Sequence, residues 1–145
     1  MKHLFVVNPV AGKQKPEEKL RLINEAIDRL PAEQRSRDEF EIYVTEAPMD
    51  ACRHIRETAA DGAELRVYAC GGDGTLNEVI SGLMRLDAPP PLGYLPQGTT
   101  NDFASSLQIP RTPASAAKNI VQNRMRELDI GRWNERSFIL SLIHI

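Results

Sequence analysis

The segment ACGGDGTLNEVI (69–80) places acids where a phosphate would be expected to arrive. Gly71, Gly72 and Gly74 leave a loop almost bare of side chains ahead of a helical pattern. Free backbone N–H groups at a helix start draw phosphate. Yet Asp73 stands among these glycines, and Glu78 follows Gly74 by four residues, one turn along and on the same side of a helix. The acids make sense if the phosphate comes as a metal complex, since magnesium prefers carboxylate oxygens and water. A phosphoryl-accepting hydroxyl also needs a group that orients it or takes its proton. Asp73 is the candidate for either duty, catalytic or magnesium-binding. The plainer alternatives are a turn residue at Asp73 and a helix-start acid at Glu78.

Two more segments have the same chemistry. NPVAGK (8–13) brings Asn8, Gly12 and Lys13, and PQGTTND (96–102) brings Gly98, Thr99, Asn101 and Asp102. Neither common nucleotide motif is present. Lys13 is followed by Gln14 and lacks the earlier glycine of a Walker loop, and Asn77 stands where a dinucleotide fingerprint needs its third glycine. No His-Arg-Asp stretch of the protein-kinase type occurs.

These loops need elements to hold them. Apolar runs at 3–7, 40–44, 64–69 and 92–95 read as strands, each followed by a loop. Helical spacing joins Leu20, Ile23, Ile27 and Leu30 after Pro16, with Pro31 as the stop. Further helices are predicted over 49–60, 75–84, 101–107 and 114–122. MRELDIGRW (125–133) and RSFILSLI (136–143) are expected to pair about Asn134-Glu135. Alternating strands and helices predict an α/β fold: a three-layer, Rossmann-like parallel sheet with helices on both faces. Ligands of such sheets gather beyond the carboxyl ends of the strands, where all three loops would open onto one edge.

Composition narrows the classes. The 145 residues, 41% hydrophobic and 26% charged, are the size of one soluble domain. A net charge of −2 with a pI near 5.9 gives no electrostatic basis for nucleic acid. Arg124, Arg126, Arg132 and Arg136 read as a solvated face. Cys52 and Cys70 have neither redox nor zinc spacing, and Cys70 reads as a small buried residue. The start is no signal peptide, and FILSLIHI (138–145) is far short of the ~20 residues of a membrane span. A reduced, cytoplasmic protein with at most peripheral membrane contact is expected.

GGDGTLNEV followed by LPQGTTNDFA resembles the diacylglycerol kinase catalytic-domain family, and within it the bacterial soluble lipid kinases and sphingosine kinases. NPVAGK, VTEAPMDA (44–51) and LDIGRWNERSF (128–138) fit the same pattern, so the likeness runs to about residue 138. The resemblance implies ATP-dependent, magnesium-assisted phosphorylation of a lipid with a free hydroxyl. It implies a nucleotide site of Asn8, Gly12, Lys13, Thr45, Gly71, Gly72, Gly74, Thr75, Glu78, Gly98, Thr99, Asn101 and Asp102, with Asp73 the essential acid. Residues 1–138 would form the ATP-binding catalytic domain. The family continues into a second, β-rich domain on the acceptor side, so 139–145 is expected to be a truncated or non-native tail, its His144 of no special role. Apolar surface left uncovered by a missing domain would favour a homo-oligomer. An NAD kinase or sugar-phosphate kinase also uses a GGDG loop, although GTTNDFA fits lipid kinases better. A non-catalytic nucleotide-binding module is the third reading.

Overall fold

The structure, a computed structural model, describes residues 1–109, 111–122 and 125–139. Four strands, β1 (Lys2–Val7), β2 (Glu39–Val44), β3 (Leu65–Gly71) and β4 (Leu92–Pro96), form one parallel sheet in the order β2-β1-β3-β4. The first strand explains the layering. Successive side chains of a strand face opposite ways, and in β1 both sets are apolar. Leu4 and Val6 join one buried cluster, whereas Phe5 and Val7 join another. β3 repeats the division, with Val67 and Ala69 on one side and Tyr68 and Cys70 on the other. Both faces must therefore be covered.

The covering helices separate by face. α1 (Pro16–Asp28) and α6 (Pro113–Gln122) contribute Ile23, Ala117 and Ile120 to the Phe5 side. α3 (Asp50–Ala60) and α4 (Asp73–Leu83) contribute Ala51, Ile55, Leu76, Val79 and Ile80 to the Leu4 side. The three-layer expectation holds. The chain leaves β1 toward β2, then crosses back past β1 to β3, and right-handed crossovers put the connections on opposite faces. β1 and β3 thus flank the point where the topology reverses, the usual crevice of an open α/β sheet.

Several boundaries differ from the sequence expectation. Pro31 ends one helix but also precedes α2 (Ala32–Arg37), a short, wholly unburied turn of helix with no apolar periodicity to announce it. α4 begins at Asp73 rather than Thr75, which puts the acid in the first turn of the helix. α5 is Asp102–Ser106. In the C-terminal hairpin β5 (Gly131–Trp133) pairs antiparallel with β6 (Arg136–Phe138) around Asn134, whose φ is +51°; the expected first strand is absent over 125–130, and 140–143 of the expected second lie outside the described residues. Residues 140–145, with His144, lie outside the described residues, as do Pro110 and Arg124. Arg126, Arg132 and Arg136 are exposed, as expected of a solvated face. Ile139 packs on the Leu4 cluster and donates its N–H to Asn77 Oδ1 at 3.3 Å. No helix among the described residues is long and apolar enough to cross a membrane.

At the amino end of the sheet, His3 is fully buried and stacks on Phe40 with centroids 4.9 Å apart. Its Nε2 lies 3.2 Å from Asp38 Oδ2 and its Nδ1 2.9 Å from the Tyr68 hydroxyl. A neutral ring satisfies both contacts, donating to the carboxylate and accepting from the phenol. Burial lowers the His3 pKa despite the pull of Asp38. Burial alone would raise Asp38, but hydrogen bonds from Arg37, His3 and the terminal ammonium bring it down to about 2. Because His3 takes a proton more readily unfolded than folded, its contribution is complete above about pH 6.5 and is lost as pH falls below that value through the lowered folded pKa. Urea unfolding at pH 7.5 and 5.5 should show a drop in stability that shrinks in His3→Gln; an equal drop in both would refute the assignment.

Candidate functional site

Parallel register brings the loop-bearing ends of the strands level. Val7 pairs with Val44 and Cys70, and Gly71 with Pro96. The ladder runs one step further: Asn8 N–H donates to Cys70 O (3.0 Å), Thr45 N–H to Val7 O (2.9 Å) and Gln97 N–H to Gly71 O (2.8 Å). Asn8, Thr45, Gly71 and Gly98 therefore sit along one edge. In the β1/β3 crevice the Asn8 amide donates to Thr75 Oγ1 at 3.2 Å, joining the first loop to the start of α4. The Thr45 hydroxyl folds back onto Val7 O at 3.2 Å.

The glycines do something the sequence alone did not indicate. Among the loop glycines, only at Gly74 is the space around the backbone open, a Cβ there meeting nothing within 4 Å. Elsewhere the neighbour is the chain itself. A Cβ on Gly98 would strike Gly72 Cα, and one on Gly12, which has φ +66°, would strike Gln97 O. A Cβ on Gly71 would run into the Thr75 side chain. The three loops are packed backbone to backbone, and only glycine permits that approach.

Asp73 completes the closure. Its Oδ2 accepts from Asp102 N–H at 2.9 Å and its Oδ1 from Phe103 N–H at 3.2 Å. These are the first amides of α5, whose own N-cap residue Asn101 gives no side-chain cap. The carboxylate does for α5 what a capping residue does, but from another loop. Asn101 is turned inward instead. Its φ is +51°, it is buried, its Oδ1 accepts from Gly98 N–H (2.9 Å) and its Nδ2 donates to Gly98 O (2.8 Å). Tyr94 OH reaches Gly71 O at 3.2 Å and Asn101 Oδ1 at 3.3 Å, and burial, with the Asp73 charge, pushes its pKa up.

The predicted residues divide into groups. Lys13, Gly98, Thr99 and Asn101 line a cleft of about 380 Å³ between the first loop, the end of β4 and the start of α6, together with Gln14, Arg111 and Thr112. Asn8, Asp73, Gly74, Thr75 and Asp102 surround the start of α4 beside it. The amides of Asp73, Gly74 and Thr75 precede the first in-helix bond, Leu76 N–H to Gly72 O at 3.1 Å, and Gly72 supplies no side-chain cap. Glu78 departs from the loop. It faces α3, its Oε1 accepting from Ala51 N–H at 3.3 Å, and burial raises its pKa. Five residues on from Asp73, Glu78 lies roughly 140° round the helix from it, toward the neighbouring helix. No group of three or more His, Cys, Asp or Glu arranged to hold a metal occurs among the described residues. Sequence reasoning missed Arg111, Tyr94 and Lys19. Only Lys19 left a signal, a charge on the buried face of α1 in register with Ile23 and Ala26.

The family model for the diacylglycerol kinase catalytic domain matches residues 2–133. The chain is 36% identical over 136 residues to a diacylglycerol kinase of Bacillus subtilis, covering 93% of this chain and 43% of that protein. It is 35% identical over 135 residues to one of Staphylococcus saprophyticus, with 93% and 42% covered. A crystal structure described as a diacylglycerol kinase of Bacillus anthracis superposes with a TM-score of 0.75 at 32% identity, covering 94% of this chain and 45% of that one. The chain thus spans less than half the length of these relatives.

Gly98 and Gly74 should respond oppositely to the same change. Gly98→Ala forces two backbones apart and is expected to cost about 1–3 kcal/mol, whereas Gly74→Ala, in open space on a helix, should be neutral or stabilising by up to about 1 kcal/mol. Urea titrations giving both variants the same stability would contradict the packing described.

Proposed function

The chain belongs to the diacylglycerol kinase catalytic-domain family, and from that premise we propose that it is the nucleotide-binding part of an ATP-dependent kinase acting on a lipid hydroxyl. The observation that carries this reading is the start of α4: three amides without in-helix acceptors, an open face at Gly74 and a carboxylate fixed beside them. That combination suits a polyphosphate better than a simple anion, which the acid would repel.

The residues divide the work by chemistry. The amides of 73–75, the Thr75 and Thr99 hydroxyls and the Lys13 ammonium serve the phosphates. Asn8 and Thr45, just beyond the ends of β1 and β2, complete the nucleotide contacts in this reading. Magnesium, when bound, neutralises charge on the transferring phosphoryl group. Asp73 and the exposed Asp102 are the carboxylates suited to it, since magnesium takes one or two such ligands beside phosphate oxygens. Both Asp73 oxygens already accept an amide, so the acid is oriented in advance while each oxygen keeps further lone pairs. In the transfer, the lipid oxygen bonds to the γ-phosphorus, the bridge to the β-phosphate breaks, and the hydroxyl proton passes to a base, the role this reading gives to Asp73. Diacylglycerol, the substrate in the relatives' names, is the acceptor to try first, in contact with a membrane surface.

A thermal melt tests the donor half directly. Mg·ATP at a hundredfold its Kd should add about 2.7 kcal/mol, a rise of roughly 5–10 °C for a chain of this size, with NAD causing none. An unmoved melt would remove the donor site from this chain. Asp73→Asn should abolish phosphate transfer from labelled ATP to diacylglycerol.

A further inference from the structure

α1 carries a lysine where its pattern calls for an apolar residue. Lys19 is fully buried, and its ammonium donates to the carbonyl oxygens of Asn8 (3.0 Å), Pro9 (3.1 Å) and Ala11. The three protons of the ammonium thus meet three acceptors, all of them backbone. Burying a charge is costly even when it is hydrogen-bonded, and burial duly lowers the Lys19 pKa. A methionine would fill the same space without that penalty.

The benefit falls on the loop above. In a trans peptide unit the C=O and N–H point in opposite directions. With the oxygens of Pro9 and Ala11 drawn to Lys19, the N–H groups of Val10 and Gly12 are turned away from it. Val10 N–H is taken by Asn8 Oδ1 at 3.1 Å. Gly12 lies against Gln97 and Gly98, at the margin of the cleft that Lys13 and Thr99 line. Without a cation behind them, three neighbouring carbonyl dipoles repel one another and relax by turning an oxygen outward, toward the side an anion would approach. We propose that Lys19 is a positioning residue for polyphosphate: it gathers the carbonyl oxygens of NPVAGK behind the loop, presets the N–H face toward the crevice and adds positive potential through one layer of peptide. This inference rests on the nucleotide-binding reading above.

The test separates charge from packing. Binding of Mg·ATP and of adenosine to the 145-residue chain is measured for the native sequence and for Lys19→Met, Lys19→Gln and Lys19→Arg, with circular dichroism confirming the fold. Loss of one charge-assisted interaction predicts about a tenfold fall in Mg·ATP affinity for Met and Gln, adenosine affinity unchanged, and partial recovery with Arg. An equal loss for both ligands, or no loss in a folded variant, overturns the role. If neither Met nor Gln folds, Lys19 is a core residue only and the proposal falls. Native chain that binds neither ligand removes the nucleotide reading itself and this inference with it, an outcome distinct from a failure confined to the variants.

Discussion

The carboxyl edge of this sheet depends on two backbones touching without a side chain between them. Gly98 lies against Gly72, and Gly12 against Gln97, so the loops after β1, β3 and β4 close into one surface. Such an approach is a property of Cα positions, and those positions are fixed by the strand register below. A one-residue slip of β4 against β3 would reverse its side-chain faces and carry Gly98 out of reach of Gly72. The apolar core therefore determines the site at one remove. Phe5, Val7, Tyr68 and Cys70 on one face, and Leu4, Val6, Val67 and Ala69 on the other, hold the register that makes the glycines meet.

The polar contacts around this closure belong to a second layer that locks what packing has brought together. Asn101 binds both the N–H and the C=O of Gly98, and Tyr94 braces Gly71 and Asn101 from beneath. On the far side of α4, Glu78 ties the helix to the first turn of α3, and the Cys52 thiol donates to Glu78 O at 3.2 Å. The helix that carries Asp73 is thus held at its start by the loops and along its flank by α3. Little of it is free to move independently of the sheet.

How much of this was legible in advance follows from the kind of signal each feature leaves. The layered α/β fold was readable because doubly buried strands require continuous apolar runs, as in HLFVV and LRVYA. The gathering of three loops at one edge followed from parallel strands alone. α2 was hidden because an exposed helix has no periodicity to detect. The true use of the glycines was hidden for a different reason: clearance for a ligand and clearance for another loop have the same composition. The direction of Glu78 was hidden because its spacing from Gly74 fixes a shared side of the helix but not which neighbour that side meets. Lys19 was visible as a letter on the wrong face of a helix, and only its three carbonyl partners give that letter a meaning.

A carboxylate that tethers two loops also changes how substitutions at its position must be interpreted. Replacing Asp73 removes a charge from the edge of the sheet and at the same moment uncaps α5, so a silent variant reports on two faults that a rate alone cannot separate. A change at this position therefore disturbs the joint between the loops after β3 and β4 whatever else it does. Both carboxylate oxygens accept an amide, so even the isosteric side-chain amide would keep only one of the two acceptors.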